Sequence, residues 1–433
     1  HVQHLTPDRV VALPTAQVAA LTPAQVAALT NAQIGVMETA DVAALTTAQI
    51  EAMTAGQLQR LSASQLGALG TKVSAIETAD LATLSAEQMA ALTSAQVQAL
   101  TTAQIAALTT DQISAIEVAD MPALTTAQLV ALTGDQVAAL TTTQLAALSS
   151  SQLGAIDPAD VARLTLAQVQ ALTTAQIPGL TTAQVAALTP TQAANLELAD
   201  LGAFSTAQLA AIETTDVSAL TLAQLQHPRT TQLRALTSPQ VAALTITQVA
   251  ALTTAQVAAL TTAQVAAIET GDLVAMGTAQ IQALTSSQAA ALTTAQVAAL
   301  TLTQLAALQT EDLVAMSSGQ IAALSSEQVG ALSTAQVAAL TPAQVAAIET
   351  ADLVALSSAQ IVALGTAQVA ALSTAQVAAL TVFQVQAMET ADLAALTTAQ
   401  IQALTPAQVA TLTTAQVAAL TTTQVAALTS DQL

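Results

Sequence analysis

The stretch Leu252-Thr-Thr-Ala-Gln-Val-Ala-Ala259 contains the pattern that decides the fold. The same octad occurs earlier as Leu21-Thr-Pro-Ala-Gln-Val-Ala-Ala28 and later as Leu412-Thr-Thr-Ala-Gln-Val-Ala-Ala419. From Leu5 onward the chain reads in such octads, and the frame slips only once, at the seven-residue unit Leu69-Gly-Thr-Lys-Val-Ser-Ala75. A fixed internal period is the signature of a repeat architecture, so ordinary globular domains are not expected.

Each octad contains the signals that start a helix. Thr at the second position is an N-cap, and Gln three residues later completes a capping box. Pro follows the cap where the first helical turn accepts it, at Pro23, Pro190, Pro342 and Pro406. Each octad is therefore predicted to form about one and a half turns of helix, followed by a corner.

Three other architectures fit the octads less well. In one continuous α-helix the Leu position would rotate by roughly 80° per octad, too steeply for an ordinary coiled coil. A β-solenoid is the stronger rival, but Ala, Leu and Gln are poor strand residues. Arrays of two-helix repeats need longer helices than the spacing of the caps permits. The octads favour a coil of short helices.

A second period lies above the first. Acidic octads replace Thr and Gln with Glu and Asp, and most of them begin five octads apart. The simplest cause is an all-α solenoid of short helices, one per octad, with about five octads (~40 residues) per turn and with Leu and Val in its middle. Acidic octads begin at Met37, Ile76, Ile116, Ile156, Leu196, Ile268, Leu308, Ile348 and Met388, with a further one at Ile212.

The predicted domain organisation is one continuous octapeptide-repeat solenoid over residues 1–433. It is irregular at residues 69–75 and again at residues 226–229. The His227-Pro228 pair is interpreted as a kink or a repair of the register. Both ends of the sequence suggest a part of a longer polypeptide.

Stacking at the five-octad period would place the acidic octads in one column, which is the candidate functional site. Three interpretations remain open: a ladder of oxygen ligands for Ca²⁺, a lateral contact between rods, or a solvated stripe with carboxylates at helix N-termini. The column comprises Glu38, Asp41, Glu77, Asp80, Glu117, Asp120, Asp157, Asp160, Glu197, Asp200, Glu269, Asp272, Asp312, Glu349, Asp352, Glu389 and Asp392.

Composition argues against several classes of function. A net charge of −21 with six basic residues disfavours nucleic acid as a partner. No apolar run approaches the ~20 residues of a membrane span, and a chain without Cys has no disulfide framework. His1, His4 and His227 are far apart, and Ser replaces Thr at caps, so no enzyme activity and no cofactor other than possible Ca²⁺ are expected.

The Thr-Ala-Gln-Val-Ala-Ala-Leu arrays resemble those of very large bacterial surface proteins described as adhesin-like or haemagglutinin-like. This resemblance implies export, an extracellular or cell-surface location, and a mechanical or adhesive role. The leading prediction is a fibre or stalk that self-associates, as in a surface filament or a biofilm matrix. The alternative is a binding module whose side engages a partner or Ca²⁺. Ranks of Thr also suit ice binding, but capping already explains one Thr of each pair.

Overall fold

The computed structural model describes residues 2–227 and 229–433, and within them it contains short helices and no strand. Helices of a few residues alternate with short extended corners, with one helix in nearly every octad. This confirms the predicted all-α solenoid of short helices. The chain forms two compact units, residues 1–220 and 221–433.

Short helices fill the first unit from end to end. The α-helices are Pro7–Val11, Thr15–Ala19, Pro23–Ala27, Asn31–Gly35, Thr39–Ala44, Thr47–Glu51, Ala55–Leu58, Ala63–Ala68, Thr78–Leu81, Ala86–Ala90, Ser94–Ala99, Thr102–Ala107, Thr110–Ala115, Thr126–Val130, Gly134–Ala139, Thr142–Ala147, Ser150–Leu153, Pro158–Val161, Leu166–Gln170, Thr182–Ala186, Pro190–Ala194, Leu198–Ala203, Thr206–Ala211 and Thr214–Ala219. The 3₁₀-helices are Val2–His4, Gly70–Ala75, Val118–Ala123 and Ile177–Gly179.

The second unit continues the same alternation of helix and corner. Its α-helices are Leu222–Gln226, Thr230–Leu233, Ser238–Ala242, Ile246–Ala250, Thr254–Ala259, Thr262–Ala267, Thr270–Ala275, Thr278–Gln282, Ser286–Ala291, Thr294–Ala299, Leu302–Ala307, Thr310–Ala315, Ser318–Ala322, Ser326–Gly330, Thr334–Ala339, Pro342–Ala347, Thr350–Leu353, Ser358–Val362, Thr366–Ala370, Thr374–Ala379, Val382–Ala387, Thr390–Ala395, Thr398–Ala403, Pro406–Ala410, Thr414–Ala419 and Thr422–Ala427.

A capping box starts most of the ordinary helices, as predicted. In the octad 252–259 the Thr253 hydroxyl accepts a hydrogen bond from the Gln256 backbone N–H at 3.2 Å. In return, Gln256 Oε1 accepts from the Thr253 backbone N–H at 3.0 Å. The helix ends at Leu260, which is extended (φ −58°, ψ 144°), and the next cap, Thr261, is extended too (φ −73°, ψ 159°). These two extended residues form the corner between helices.

Two rows of apolar side chains form the core. They come from the first and sixth positions of the octad, for example Leu260 (5% exposed) and Val257 (0%). Phe204 replaces Leu at a first position and is buried as well. Removing these side chains from water is the main favourable term for such a chain. The prediction that Leu and Val fill the middle of the coil is confirmed.

The turn of the coil is shorter than the predicted five octads. Side-chain hydrogen bonds between successive turns join residues that are 28 or 31 positions apart in the sequence. Gln296, for example, donates to the carbonyls of Ile268 and Val265. In agreement, the helix Thr294–Ala299 packs against Thr270–Ala275, three octads earlier. One turn therefore takes about three and a half octads, and the prediction of five octads per turn is wrong.

The size of the core explains the tighter turn. Each octad contributes only two sizeable apolar side chains to the interior, and protein interiors are close-packed. A ring of five octads would enclose more space than those side chains fill. The five-octad period in the sequence is real, but it is not the length of one turn.

Candidate functional site

A glutamine at the fifth position of most ordinary octads joins two turns of the coil. Gln296 Oε1 accepts a hydrogen bond from the backbone N–H of its own cap, Thr293, at 2.8 Å. Gln296 Nε2 donates to the carbonyls of Val265 and Ile268, in the preceding turn, at 2.9 and 2.7 Å. The side chain is 1% exposed, so a buried amide has both its acceptor and its donor satisfied. We call this arrangement the glutamine bridge.

The glutamine bridge recurs along both units with the same register. In most cases Nε2 donates to one carbonyl 31 residues earlier and to a second carbonyl 28 residues earlier. Examples are Gln57, Gln104, Gln136, Gln168 and Gln208 in the first unit, and Gln264, Gln304, Gln344, Gln384 and Gln424 in the second. Across the seven-residue unit both offsets fall by one, as for Gln88 with Leu58 and Leu61.

The octad pattern predicts a capping role for these glutamines but not their bond to the preceding turn. A signal for it exists in the sequence. A capping box accepts Glu as well as Gln, yet from Leu5 onward no octad has Glu at the fifth position. Only an amide can accept from the cap and also donate elsewhere, so the exclusion of Glu indicates a required donor.

Lys72 takes the place of the bridging glutamine in the seven-residue unit. Its Nζ donates to the carbonyls of Ala43 and Leu45, at 2.5 and 2.7 Å. An ammonium group has three donors and no acceptor, so Lys72 can bond the preceding turn but cannot complete a capping box. The unit accordingly forms the 3₁₀-helix Gly70–Ala75, and Gly70 has a positive φ of 54°.

The acidic octads have Asp at the position of the bridging glutamine. An ionised carboxylate only accepts hydrogen bonds, so it cannot donate to the carbonyls of the preceding turn. Most of these Asp side chains are buried: Asp41, Asp120, Asp200, Asp216, Asp272, Asp312, Asp352 and Asp392. Asp80 and Asp160 are half-buried.

The acidic residues at the cap position lie on the outside of the coil. Glu38, Glu77, Glu117, Asp157, Glu197, Glu213, Glu269, Glu349 and Glu389 are all exposed. The Glu side chains make no capping hydrogen bond, whereas Asp157 accepts one from the Ala159 N–H at 2.9 Å. Each acidic octad therefore combines an exposed carboxylate with a more buried one.

Three of the buried carboxylates accept a hydrogen bond from a serine of the preceding turn, 26 residues earlier. Ser286 Oγ donates to Asp312 Oδ1 at 3.0 Å. The other two pairs are Ser94 with Asp120 and Ser326 with Asp352, each at 2.5 Å. These pairs show that an Asp at the fifth position reaches the preceding turn.

Other buried carboxylates have no such donor. One oxygen of Asp200, one of Asp392 and both of Asp216 are buried without a hydrogen-bond partner. Burial raises the pKa of Asp200 and of Asp216 to about 6, and the charge of the neighbouring Glu197 or Glu213 contributes in the same direction. The pKa of Asp392 is raised for the same two reasons, burial first and then Glu389.

The acidic octads do not stack into a column. The helix of Asp392, Thr390–Ala395, packs against the ordinary helices Thr366–Ala370 and Thr414–Ala419. The same holds for Asp120, whose partner in the preceding turn is Ser94, whereas Asp80 lies five octads away along the chain. A period of five octads cannot align on a turn of about three and a half. The predicted acidic column, from Glu38 to Asp392, is therefore wrong as a stacked arrangement.

No metal-binding cluster is formed by the part of the chain that the structure describes, where no three His, Cys, Asp or Glu residues come together in a suitable group. Two surface depressions lie beside acidic caps, one at Glu51 and Glu77 and one at Glu349. The amides of Gln104 and Gln376, which line them, are already engaged in glutamine bridges. Calcium binding stays a prediction.

The second irregularity predicted from sequence is described in part. Gln226 Nε2 donates to the Ala251 carbonyl at 2.7 Å, and the Arg229 N–H donates to Gln232 Oε1 at 3.0 Å. The helix Thr230–Leu233 then begins in the ordinary frame. Pro228 lies outside the described residues, and so does the kink predicted at that position. None of the helices described in either unit is long and apolar enough to span a membrane.

The ALTTAQ repeat family model matches eleven segments of the chain, at residues 2–31, 34–71, 73–110, 113–150, 153–190, 193–227, 229–254, 265–302, 305–342, 345–382 and 385–422. The chain therefore belongs to the ALTTAQ repeat family. Most of these segments begin five octads apart, which matches the spacing of the acidic octads and confirms a tandem repeat. No curated protein matches the chain.

Proposed function

We propose that this member of the ALTTAQ repeat family is a structural protein, a fibre-forming or stalk-forming segment at the cell surface or outside the cell. In this proposal it has no enzymatic role and no cofactor, and it self-associates. The observation that carries the proposal is the glutamine bridge, which bonds turn after turn of the coil in one register.

The bridge suits a load-bearing element. Each turn is bonded to the turn before it, so stability adds along the repeat and length can vary without a new design. Separating two turns would break buried hydrogen bonds and expose both apolar rows to water. Neighbour-only contacts of this kind favour a spacer or filament over a chemical site.

Exposed aliphatic side chains support self-association. The third position of the octad usually has a small polar residue, but six octads have a large aliphatic residue there that is 39–55% exposed. Exposed apolar groups gain by pairing with a second copy. These residues are Val118, Leu166, Leu198, Leu222, Ile246 and Leu302, which we call the exposed aliphatic set.

The proposed location rests on composition and on resemblance to bacterial surface proteins. Only 8% of residues are charged, and six are Lys or Arg. Proteases that cleave after basic residues have few sites on such a chain. Labelling of intact and of permeabilised cells with an antibody tests the location, and signal only after permeabilisation would contradict it.

Electron microscopy of negatively stained protein at low and high concentration tests the fibre. We expect filaments or bundles to lengthen or thicken as concentration rises. Isolated short particles at high concentration would count against the proposal. A matched variant replaces the exposed aliphatic set with Thr, the common residue at that position, which keeps the fold and should reduce lateral bundling.

A further inference from the structure

We propose that the buried Asp residues of the acidic octads are proton-dependent latches between turns. A carboxyl group that takes up a proton donates its O–H to the backbone carbonyl that a glutamine bridge would otherwise bond, so the coil tightens as the pH falls. The donors are Asp200, Asp216 and Asp392. This inference does not depend on whether the protein forms fibres.

The register identifies the acceptor of the latch. Gln384 and Gln400, in the octads on either side of Asp392, donate to the carbonyls of Leu356 and Leu372, each 28 residues earlier. The same offset from Asp392 leads to the carbonyl of Leu364, which lies between them in the sequence. The corresponding carbonyls for Asp200 and Asp216 are those of Leu172 and Leu188.

An Asp side chain is one methylene shorter than Gln, so a latch needs the two turns to lie close together. The helices of Asp216 and Asp392 make some of the most extensive contacts in the molecule with the helix of the preceding turn. Those neighbouring helices are Pro190–Ala194 and Thr366–Ala370. The Ser286–Asp312 hydrogen bond confirms that an Asp at this position spans the gap between turns.

The surroundings leave a proton as the simplest partner for these buried carboxylates. Neither helix packed against the Asp392 helix, Thr366–Ala370 nor Thr414–Ala419, contains a titratable or charged residue. Pro190–Ala194 against Asp216 and Ile177–Gly179 against Asp200 contain none either. The one charged neighbour that acts on each Asp is the exposed Glu at its own cap, a like charge that favours protonation.

The sign of the pH dependence follows from the raised pKa. A carboxyl whose pKa is 3.8 in the unfolded chain and about 6 in the folded one binds its proton more tightly when folded. Its contribution to stability is fully present below pH 3.8 and is lost as the pH rises through 6. For Asp200 and Asp216 this corresponds to about a hundredfold change each in the local unfolding equilibrium.

The test compares the full chain with a variant in which the donor is permanent. Asp200→Asn, Asp216→Asn and Asp392→Asn together mimic the protonated state at every pH. Hydrogen exchange, corrected for the intrinsic rate, is followed by mass spectrometry from pH 7.5 to pH 5 at high salt. In the wild type we expect protection of the octads of Asp200 and Asp216 to rise about tenfold between pH 7.5 and pH 5, because a carboxyl with a pKa of about 6 becomes mostly protonated over this range only in the folded chain. In the variant, protection should be high and independent of pH.

A matched control removes three exposed carboxylates instead, with Asp8→Asn, Asp111→Asn and Asp431→Asn. It changes the net charge equally, so it should retain the full pH dependence of the wild type. If the control flattens the profile as the first variant does, general charge repulsion explains the effect and the latch is wrong.

A second variant, Pro190→Ser, moves the titration without removing the carboxyl. Position 190 stands 26 residues before Asp216, the offset at which Ser326 donates to Asp352, and the proline there has no hydroxyl. A serine at position 190 should donate to the ionised carboxylate and shift the Asp216 transition to lower pH. A transition that stays in place would overturn the proposed geometry. So would a rise in protection at pH 7.5 on adding Ca²⁺ or Na⁺, since the carboxylates would then hold a cation.

Discussion

An ordinary octad and an acidic octad have the same backbone path and the same apolar rows, yet they are held to the preceding turn in different ways. Around Gln296 the amide is bonded to its own cap and to two carbonyls of the turn before. Around Asp392 one carboxylate oxygen is buried without a partner, and the cap Glu389 makes no capping bond. An acidic octad thus keeps the path of the coil without a glutamine bridge of its own to the preceding turn.

The difference shows that one set of residues determines the path of the chain, and another determines how strongly neighbouring turns are bonded. Leu and Val are buried equally in both kinds of octad, as Leu393 (0%) and Val297 (0%) illustrate. The fifth position then decides how firmly, and at which pH, one turn is bonded to the next. Substitutions at that position or beside it should therefore change stability in a predictable order.

The largest effect is expected for Gln296→Glu, which places a carboxylate at the fifth position of an ordinary octad. Glu can still accept from the Thr293 N–H, but it loses the donor and places a buried charge against two carbonyls. We expect a loss of about 3 kcal/mol in the free energy of unfolding. Urea unfolding followed by circular dichroism measures it.

Gln25→Glu is the matched control for that substitution. Gln25 is exposed and forms a capping box with Thr22. The same change there should cost no more than about 0.5 kcal/mol. Equal losses at residues 25 and 296 would show that the capping box matters and the bridge does not.

The reverse conversion, Glu389→Thr with Asp392→Gln, should stabilise the protein at pH 7. It restores a cap and a bridge in a register that the flanking octads already use. A gain of about 2 kcal/mol is expected, roughly one from the cap and one from the bridge. Thermal melting checks it. A lower melting temperature would mean that the turns around Asp392 are too close for the longer side chain.

The sequence predicts the short helix of each octad but not the number of octads in one turn. The capping box between Thr253 and Gln256 and the burial of Leu260 follow from local chemistry that every octad repeats. How many octads complete a turn depends instead on how many side chains fill the interior, which is a property of packing. The regular spacing of Asp120, Asp160 and Asp200 suggests five octads per turn, but this spacing is not set by the packing of the core.

The sequence identifies the acidic residues of the candidate site but not how they are arranged in space. Glu389 and Asp392 were grouped as equivalent carboxylates, although one is exposed and the other is 2% exposed. Their different roles follow from the capping-box positions, second and fifth. The serine partner of Asp312 lies 26 residues earlier, and it could not be found without the true length of the turn.

Lys72 offers a third solution at the place of the bridging glutamine, since it donates to the preceding turn but cannot accept from a cap. Lys72→Met removes the donors to the carbonyls of Ala43 and Leu45 while retaining most of the apolar stem. We expect a loss of about 1 to 2 kcal/mol, less than for Gln296→Glu because no charge is buried. Lys72→Arg keeps the donors, so its melting temperature should fall less. Equal decreases would contradict a bonding role for Lys72.

The smallest effect tests the backbone of the seven-residue unit. Gly70 has a φ of 54°, and a Cβ there would meet nothing within 4 Å. Gly70→Ala therefore costs only the conformational strain of an L-residue with positive φ, about 1 kcal/mol. Gly67 also faces open space but lies inside the helix Ala63–Ala68. Gly67→Ala should stabilise the helix by about as much as Gly70→Ala destabilises it. If both variants melt above the wild type, the positive φ of Gly70 is not required. The seven-residue unit would then fit into the coil without backbone strain.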